Sequence, residues 1–80
     1  MNLFIGYVGF EDGDMKPIAC GNDHSTVFSD TLAHIAEMGL LRGTNMGVQD
    51  KGKISEAEYE RTKAAFDAAY EKARDKARAV

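Results

Sequence analysis

The sequence has few of the residues that would place it in several common protein classes. Its single cysteine cannot form a disulfide within the chain, so nothing indicates an oxidising compartment. No apolar run reaches the roughly 18 residues that a membrane-spanning helix needs. The N-terminal segment also lacks the basic region that is typical of a signal peptide. These absences predict a cytoplasmic protein.

Basic residues are scarce in the first half of the chain. Residues 1–41 contain six acidic residues and one basic residue, Lys16, whereas residues 42–80 contain seven acidic and nine basic residues. Because phosphate contacts drive nucleic-acid affinity, the acidic half should repel DNA and RNA. In the other half, acids interrupt the bases, which also disfavours direct nucleic-acid binding. A nucleic-acid binder remains a minor hypothesis, and it would use Arg61, Lys63, Lys72, Arg74, Lys76 and Arg78.

Eighty residues predict one small domain, residues 1–80, that begins with a β-hairpin over residues 2–20. Apolar and aromatic residues fill the first strand. Glu11-Asp12-Gly13-Asp14 is typical of a tight turn, because Asp-Gly readily supplies the positive φ that such turns require. Pro17 has no N–H to donate, so the returning strand should have an unpaired edge.

Two helices are predicted after the hairpin, over residues 24–40 and 56–78. Asn22, Asp23 or Ser25 is expected to cap the first helix, and Ser55 with Glu58 forms a capping-box pattern at the second. Residues 42–53 are predicted to be a loop, with a short third strand over 44–49 as an alternative. The expected fold is α+β in the order ββαα. The predicted core comprises Leu3, Ile5, Tyr7, Ile18, Phe28, Leu32, Ile35, Tyr59, Phe66 and Tyr70.

The residues capable of chemistry do not form a recognisable catalytic or metal-binding pattern. Cys20, His24 and His34 supply three candidate zinc ligands, whereas structural zinc usually requires four in paired short spacings. Cys20 precedes a predicted helix, but no oxyanion site or orienting group accompanies it. A small buried thiol and two surface histidines are the simpler interpretation. No cofactor, metal or catalytic residue is predicted.

The acidic residues of the first half favour a binding function. Glu11, Asp12, Asp14, Asp23 and Asp30 are predicted to form one acidic surface. Such surfaces steer basic partners and set specificity. An apolar anchor, either Phe10 or Met15, is expected to contribute most of the binding energy, because a few buried residues usually dominate an interface.

The short chain opens with Met1-Asn2-Leu3-Phe4-Ile5-Gly6-Tyr7 and continues with the hairpin, Pro17-Ile18-Ala19 and a charged helical tail. In size, layout and charge, the whole chain resembles small phage-encoded accessory proteins of the anti-CRISPR class. This resemblance implies a non-enzymatic inhibitor that acts in the host cytoplasm and docks on a basic, nucleic-acid-handling complex such as a CRISPR effector. It carries no functional residue across to this sequence. The alternative is a homodimeric structural or regulatory module joined through the helix at 56–78.

Overall fold

The computed structural model describes residues 1–38 and 44–78, and it confirms the predicted α+β fold. The elements are β1 (Asn2–Phe10), β2 (Met15–Gly21), α1 (His24–Glu37), β3 (Thr44–Lys53) and α2 (Glu56–Arg78). The third strand, which the sequence leaves as an alternative, is present, so the order is ββαβα. The predicted end of the first helix, residues 39 and 40, lies outside the described residues.

The three strands form an antiparallel sheet in the order β2-β1-β3, with β1 at its centre. Pro17 lies on an edge strand, as predicted. The loop predicted over 42–53 is wrong for most of its length, because β3 pairs with β1 from Thr44 to Lys53. The glycines of this stretch favour a loop, although Gly47 and Gly52 lie within β3. Gly52 has φ 85°, and its N–H donates to Asp50 Oδ1 at 2.8 Å where the pairing register shifts.

The helix α1 packs closely on the sheet through Val27, Thr31 and Ile35, all of which are buried. Gly6 of β1 permits this approach, because a Cβ there would collide with Thr31 Oγ1. The Thr31 hydroxyl donates to Val27 O at 2.6 Å within the helix. The buried side of α1 that meets Gly6 therefore carries the small residue Thr31.

Two predicted core residues of α1 are exposed, which corrects the sequence interpretation. Phe28 and Leu32 have 45% and 46% of their surface accessible, respectively. The apolar spacing at 28, 32 and 35 identified the helix correctly. It assigned the wrong side to the core, because close packing on Gly6 favours the smaller Val27 and Thr31.

A β-bulge brings successive residues of β2 into the interior. Gly6 pairs with Ala19 and Tyr7 pairs with Pro17, so Ile18 is the extra residue. Ile18 packs with Val8 and Ile35, and Ile18 and Ile35 belong to the predicted core. Val8, Ala19 and Cys20 are also buried, although the predicted core does not include them.

The helix α2 packs against the edge strand β2. Ser55 caps it, since the Glu58 N–H donates to Ser55 Oγ at 3.1 Å. Its predicted core residues Tyr59, Phe66 and Tyr70 are only partly buried, as are Ile5 and Tyr7 of β1, whereas Leu3 is buried as predicted. In the described part of the chain, no helix combines the length and the apolar character needed to cross a membrane.

Candidate functional site

The β1–β2 turn carries three acidic residues at one end of the molecule. Glu11, Asp12 and Asp14 are all exposed in this segment, which we call the acidic turn. Gly13 has φ 92° and donates its N–H to Phe10 O at 2.9 Å, and Asp12 Oδ1 accepts from the Asp14 N–H at 3.0 Å. The Asp12 carboxylate therefore stabilises the conformation of the turn, whereas the carboxylates of Glu11 and Asp14 are exposed at the surface.

Within residues 1–38 and 44–76, no ion pair involves the acidic turn. Among the side chains that the structure describes, the ion pair joins Lys63 Nζ to Asp67 Oδ1 at 3.2 Å on α2. Unpaired exposed carboxylates keep their attraction for an incoming cation, although salt screens it over a Debye length of about 8 Å at physiological ionic strength. The acidic turn can therefore attract a basic partner at low to moderate salt.

An apolar groove adjoins the acidic turn, and we call it the hairpin groove. It encloses about 210 Å³ between the hairpin, the end of α1 and the middle of α2. Phe10 immediately precedes Glu11, and Lys16 follows Met15, so the chain runs directly from the groove into the turn and back. The lining consists of Phe10, Lys16, Pro17, Ile18, Met38, Phe66, Ala69, Tyr70 and Ala73.

His34 of α1 contacts two of the elements that line the groove, β2 and α2. Its Nδ1 lies 3.0 Å from Ile18 O of β2, and its ring stacks on Tyr70 of α2 with 3.7 Å between centroids. The bond satisfies a carbonyl of the edge strand, and the stacking fixes the Tyr70 ring beside the groove. The groove is therefore preorganised by contacts that do not require a ligand.

Arg74 contributes a polar group beside Tyr70. Its guanidinium carbon lies 5.7 Å from the centroid of the Tyr70 ring. Its Nε is buried and, within the described residues, has no hydrogen-bond partner. A buried donor without an acceptor is unusual in a native protein, but Arg74 does not belong to the lining of the groove.

The structure gathers some of the sequence-predicted site residues and separates others. Phe10 and Met15 flank the acidic turn, and Met15 is 54% exposed. Asp23 lies beyond the other end of β2, about 20 Å away at the usual rise of a strand. Asp30 is half-buried in the middle of α1. The single acidic surface expected from the sequence is therefore distributed over more than one region.

Asp23 has a local structural role. Its Oδ2 accepts from the Thr26 N–H at 2.9 Å and from Thr26 Oγ1 at 3.0 Å, so it is the N-cap of α1. The Thr26 backbone N–H, followed by its hydroxyl, lowers the pKa of the Asp23 carboxyl. These bonds occupy one carboxylate oxygen and leave Asp23 less available to a partner than the acids of the turn.

The three candidate zinc ligands lie in different surroundings. Cys20 is buried, and this burial raises the pKa of its thiol, which disfavours the reactive thiolate. His24 packs edge-on against Phe4 and stacks on Phe28. His34 is committed to Ile18 and Tyr70. In the residues covered by the structure, no group of three or more potential ligands is placed to hold a metal ion.

Comparisons with known proteins assign no relative to this chain: no family model, curated protein or solved structure matches it.

The sequence interpretation missed the groove. Phe66, Ala69, Tyr70 and Ala73 recur at helical spacing, which indicates one apolar face of α2. That spacing identifies the face correctly. It does not reveal that the face meets a strand edge, where packing leaves a concave space.

Proposed function

We propose that this chain is a non-enzymatic inhibitor that binds another protein through its acidic turn. Its partner presents a basic surface, as nucleic-acid-handling complexes do, and a CRISPR effector is an example of that class. A phage or another mobile element would encode such an inhibitor, and it would act in the cytoplasm of the host cell.

The observation that supports this proposal is the composition of one end of the molecule. Three exposed carboxylates lie on a turn that two backbone hydrogen bonds hold, at 2.8 and 2.9 Å. Exposed Met15 and the hairpin groove adjoin them. Charge at the rim steers association, and apolar contacts beside it supply affinity. Protein binding needs both features, whereas simple solubility needs only the charge.

The test measures inhibition of purified CRISPR effector complexes in a DNA-cleavage assay. We expect wild-type protein to inhibit a susceptible effector and Glu11→Lys/Asp14→Lys to lose at least tenfold in potency, because each reversal replaces attraction with repulsion. Asp12 is left intact because it shapes the turn. Glu56→Lys/Glu60→Lys is the matched control, since it makes the same charge change at exposed positions of α2.

Salt provides a second readout for the same pair of molecules. We expect the association rate to fall steeply as salt increases, because the carboxylates act at long range. The proposal is wrong if inhibition survives reversal of Glu11 and Asp14, or if the control variant loses as much potency.

The homodimer alternative requires the apolar face of α2. Phe66, Tyr70 and Ala73 of that face line the hairpin groove within one chain. A dimer through α2 would therefore compete with the groove for the same residues. Sedimentation of the wild-type protein at high concentration tests this alternative, and a strict monomer would exclude it.

A further inference from the structure

We infer that the hairpin groove receives one aromatic or long apolar side chain from a basic segment of the partner. This inference rests on the proposed function and adds the chemistry of the partner to it. Two features support it: the size and lining of the groove, and the charge at its rim.

The groove has the size and lining of a site for one large side chain. Apolar cavities of about 150 Å³ are known to take up benzene, and this groove encloses about 210 Å³. Phe10, Phe66 and Tyr70 belong to the lining, and aromatic pairs gain affinity beyond the area that they bury. An aromatic ring or a leucine or methionine side chain therefore fits the lining best.

The charges at the rim select a basic segment. Glu11 is adjacent in sequence to Phe10 of the lining, and Asp14 lies two residues before Lys16. The rim therefore has an acidic excess although Lys16 belongs to the lining. Lys16 is exposed, so its aliphatic stem can cover apolar surface while its ammonium group remains in water. Lysine or arginine residues that flank the anchor would lie near the carboxylates.

The experiment uses three short capped peptides as probes: Lys-Lys-Phe-Lys-Lys, Lys-Lys-Ala-Lys-Lys and Glu-Glu-Phe-Glu-Glu. Binding to the full chain is followed by NMR chemical-shift titration. We expect the phenylalanine peptide to bind about tenfold more tightly than its alanine counterpart, because truncation of a buried anchor typically costs about that factor. Its largest shifts should lie at Phe10, Tyr70 and Ala73, and the acidic peptide should not bind.

Two protein variants locate the site. Ala69→Phe places a ring in the groove and should abolish the preference for phenylalanine over alanine. Ala68→Phe is the matched control, because Ala68 is exposed on the same helix and does not line the groove. The comparison of the two peptides on wild-type protein needs no substitution, so a folding defect in Ala69→Phe would not decide the result.

The outcomes separate this inference from the proposed function. Equal binding of the phenylalanine and alanine peptides to wild-type protein overturns the groove assignment and leaves the acidic turn untouched. A phenylalanine preference that persists in Glu11→Lys/Asp14→Lys, with no loss of affinity, supports the groove and overturns the basic character of the partner. Tighter binding of the acidic peptide, or shifts confined to Phe28 and Leu32, overturns the inference outright.

Discussion

The two helices of this chain are attached to the sheet in different ways. The helix α1 buries Val27, Thr31 and Ile35 against the sheet. In the described part of α2, no side chain is fully buried, and the helix lies against the edge of β2. Close packing on a face gives stability, whereas packing beside an edge leaves the hairpin groove. The same small core therefore supports one helix that packs on the sheet and another that borders the hairpin groove.

The largest expected effect is on the close contact of α1. Gly6→Ala should lower the free energy of unfolding by about 3 kcal/mol, because the new methyl group meets the Thr31 side chain and overpacking a core typically costs about 1–3 kcal/mol. Urea unfolding followed by circular dichroism measures this loss.

The double variant Gly6→Ala/Thr31→Ala is the control for that contact. Removal of the Thr31 hydroxyl eliminates the nearest clashing atom, so the two changes together should cost less than their sum. Additive losses would show that α1 does not rest on Gly6.

The attachment of α2 should depend on His34. His34→Ala removes both the bond to Ile18 O and the stacking on Tyr70, and it should cost about 1–2 kcal/mol. His34→Phe keeps the stacking and loses only the bond, so its cost should be smaller. Relative to wild type, His34→Ala should accelerate hydrogen exchange more in α2 than in α1. Equal acceleration in both helices would mean that His34 does not join α2 specifically.

The exposed face of α1 should contribute little to stability. Phe28→Ala and Leu32→Ala should each lower the free energy of unfolding by about 1 kcal/mol or less, because both side chains remain nearly half exposed in the folded chain and alanine favours the helix. Urea unfolding again provides the measurement. A loss comparable with that of Gly6→Ala would restore these residues to the core, as the sequence pattern predicts.

More of the fold than of the candidate site could be predicted from the sequence. Asp12-Gly13, Pro17 and the Ser55 cap act through local backbone chemistry, so the hairpin, the edge strand and the start of α2 could be predicted from the sequence. The side of α1 that is buried depends on Gly6, which is distant in sequence, and periodicity favoured the larger Phe28 and Leu32 instead. The glycines within β3 favour a loop, so the full length of this strand could not be predicted. The hairpin groove depends on how α2 packs against β2, which local sequence patterns do not specify. Separation of Asp23 from the turn likewise follows from the direction of β2.

The smallest effect distinguishes the caps of the two helices. Asp23 caps α1 with a carboxylate, whereas Ser55 caps α2 with a hydroxyl that does not titrate in the accessible range. Because the bonds from Thr26 lower the folded pKa of Asp23, its stabilising effect is present above the pKa of the unfolded carboxyl. It is lost as the pH falls through the folded pKa.

In Asp23→Ser, α1 keeps a good cap without this dependence. The difference in urea midpoint between wild type and Asp23→Ser should therefore shift against wild type on acidification, and Ser55→Ala should show no comparable shift relative to wild type. A difference that stays constant down to strongly acidic pH would mean that Asp23 caps α1 equally well when it is protonated.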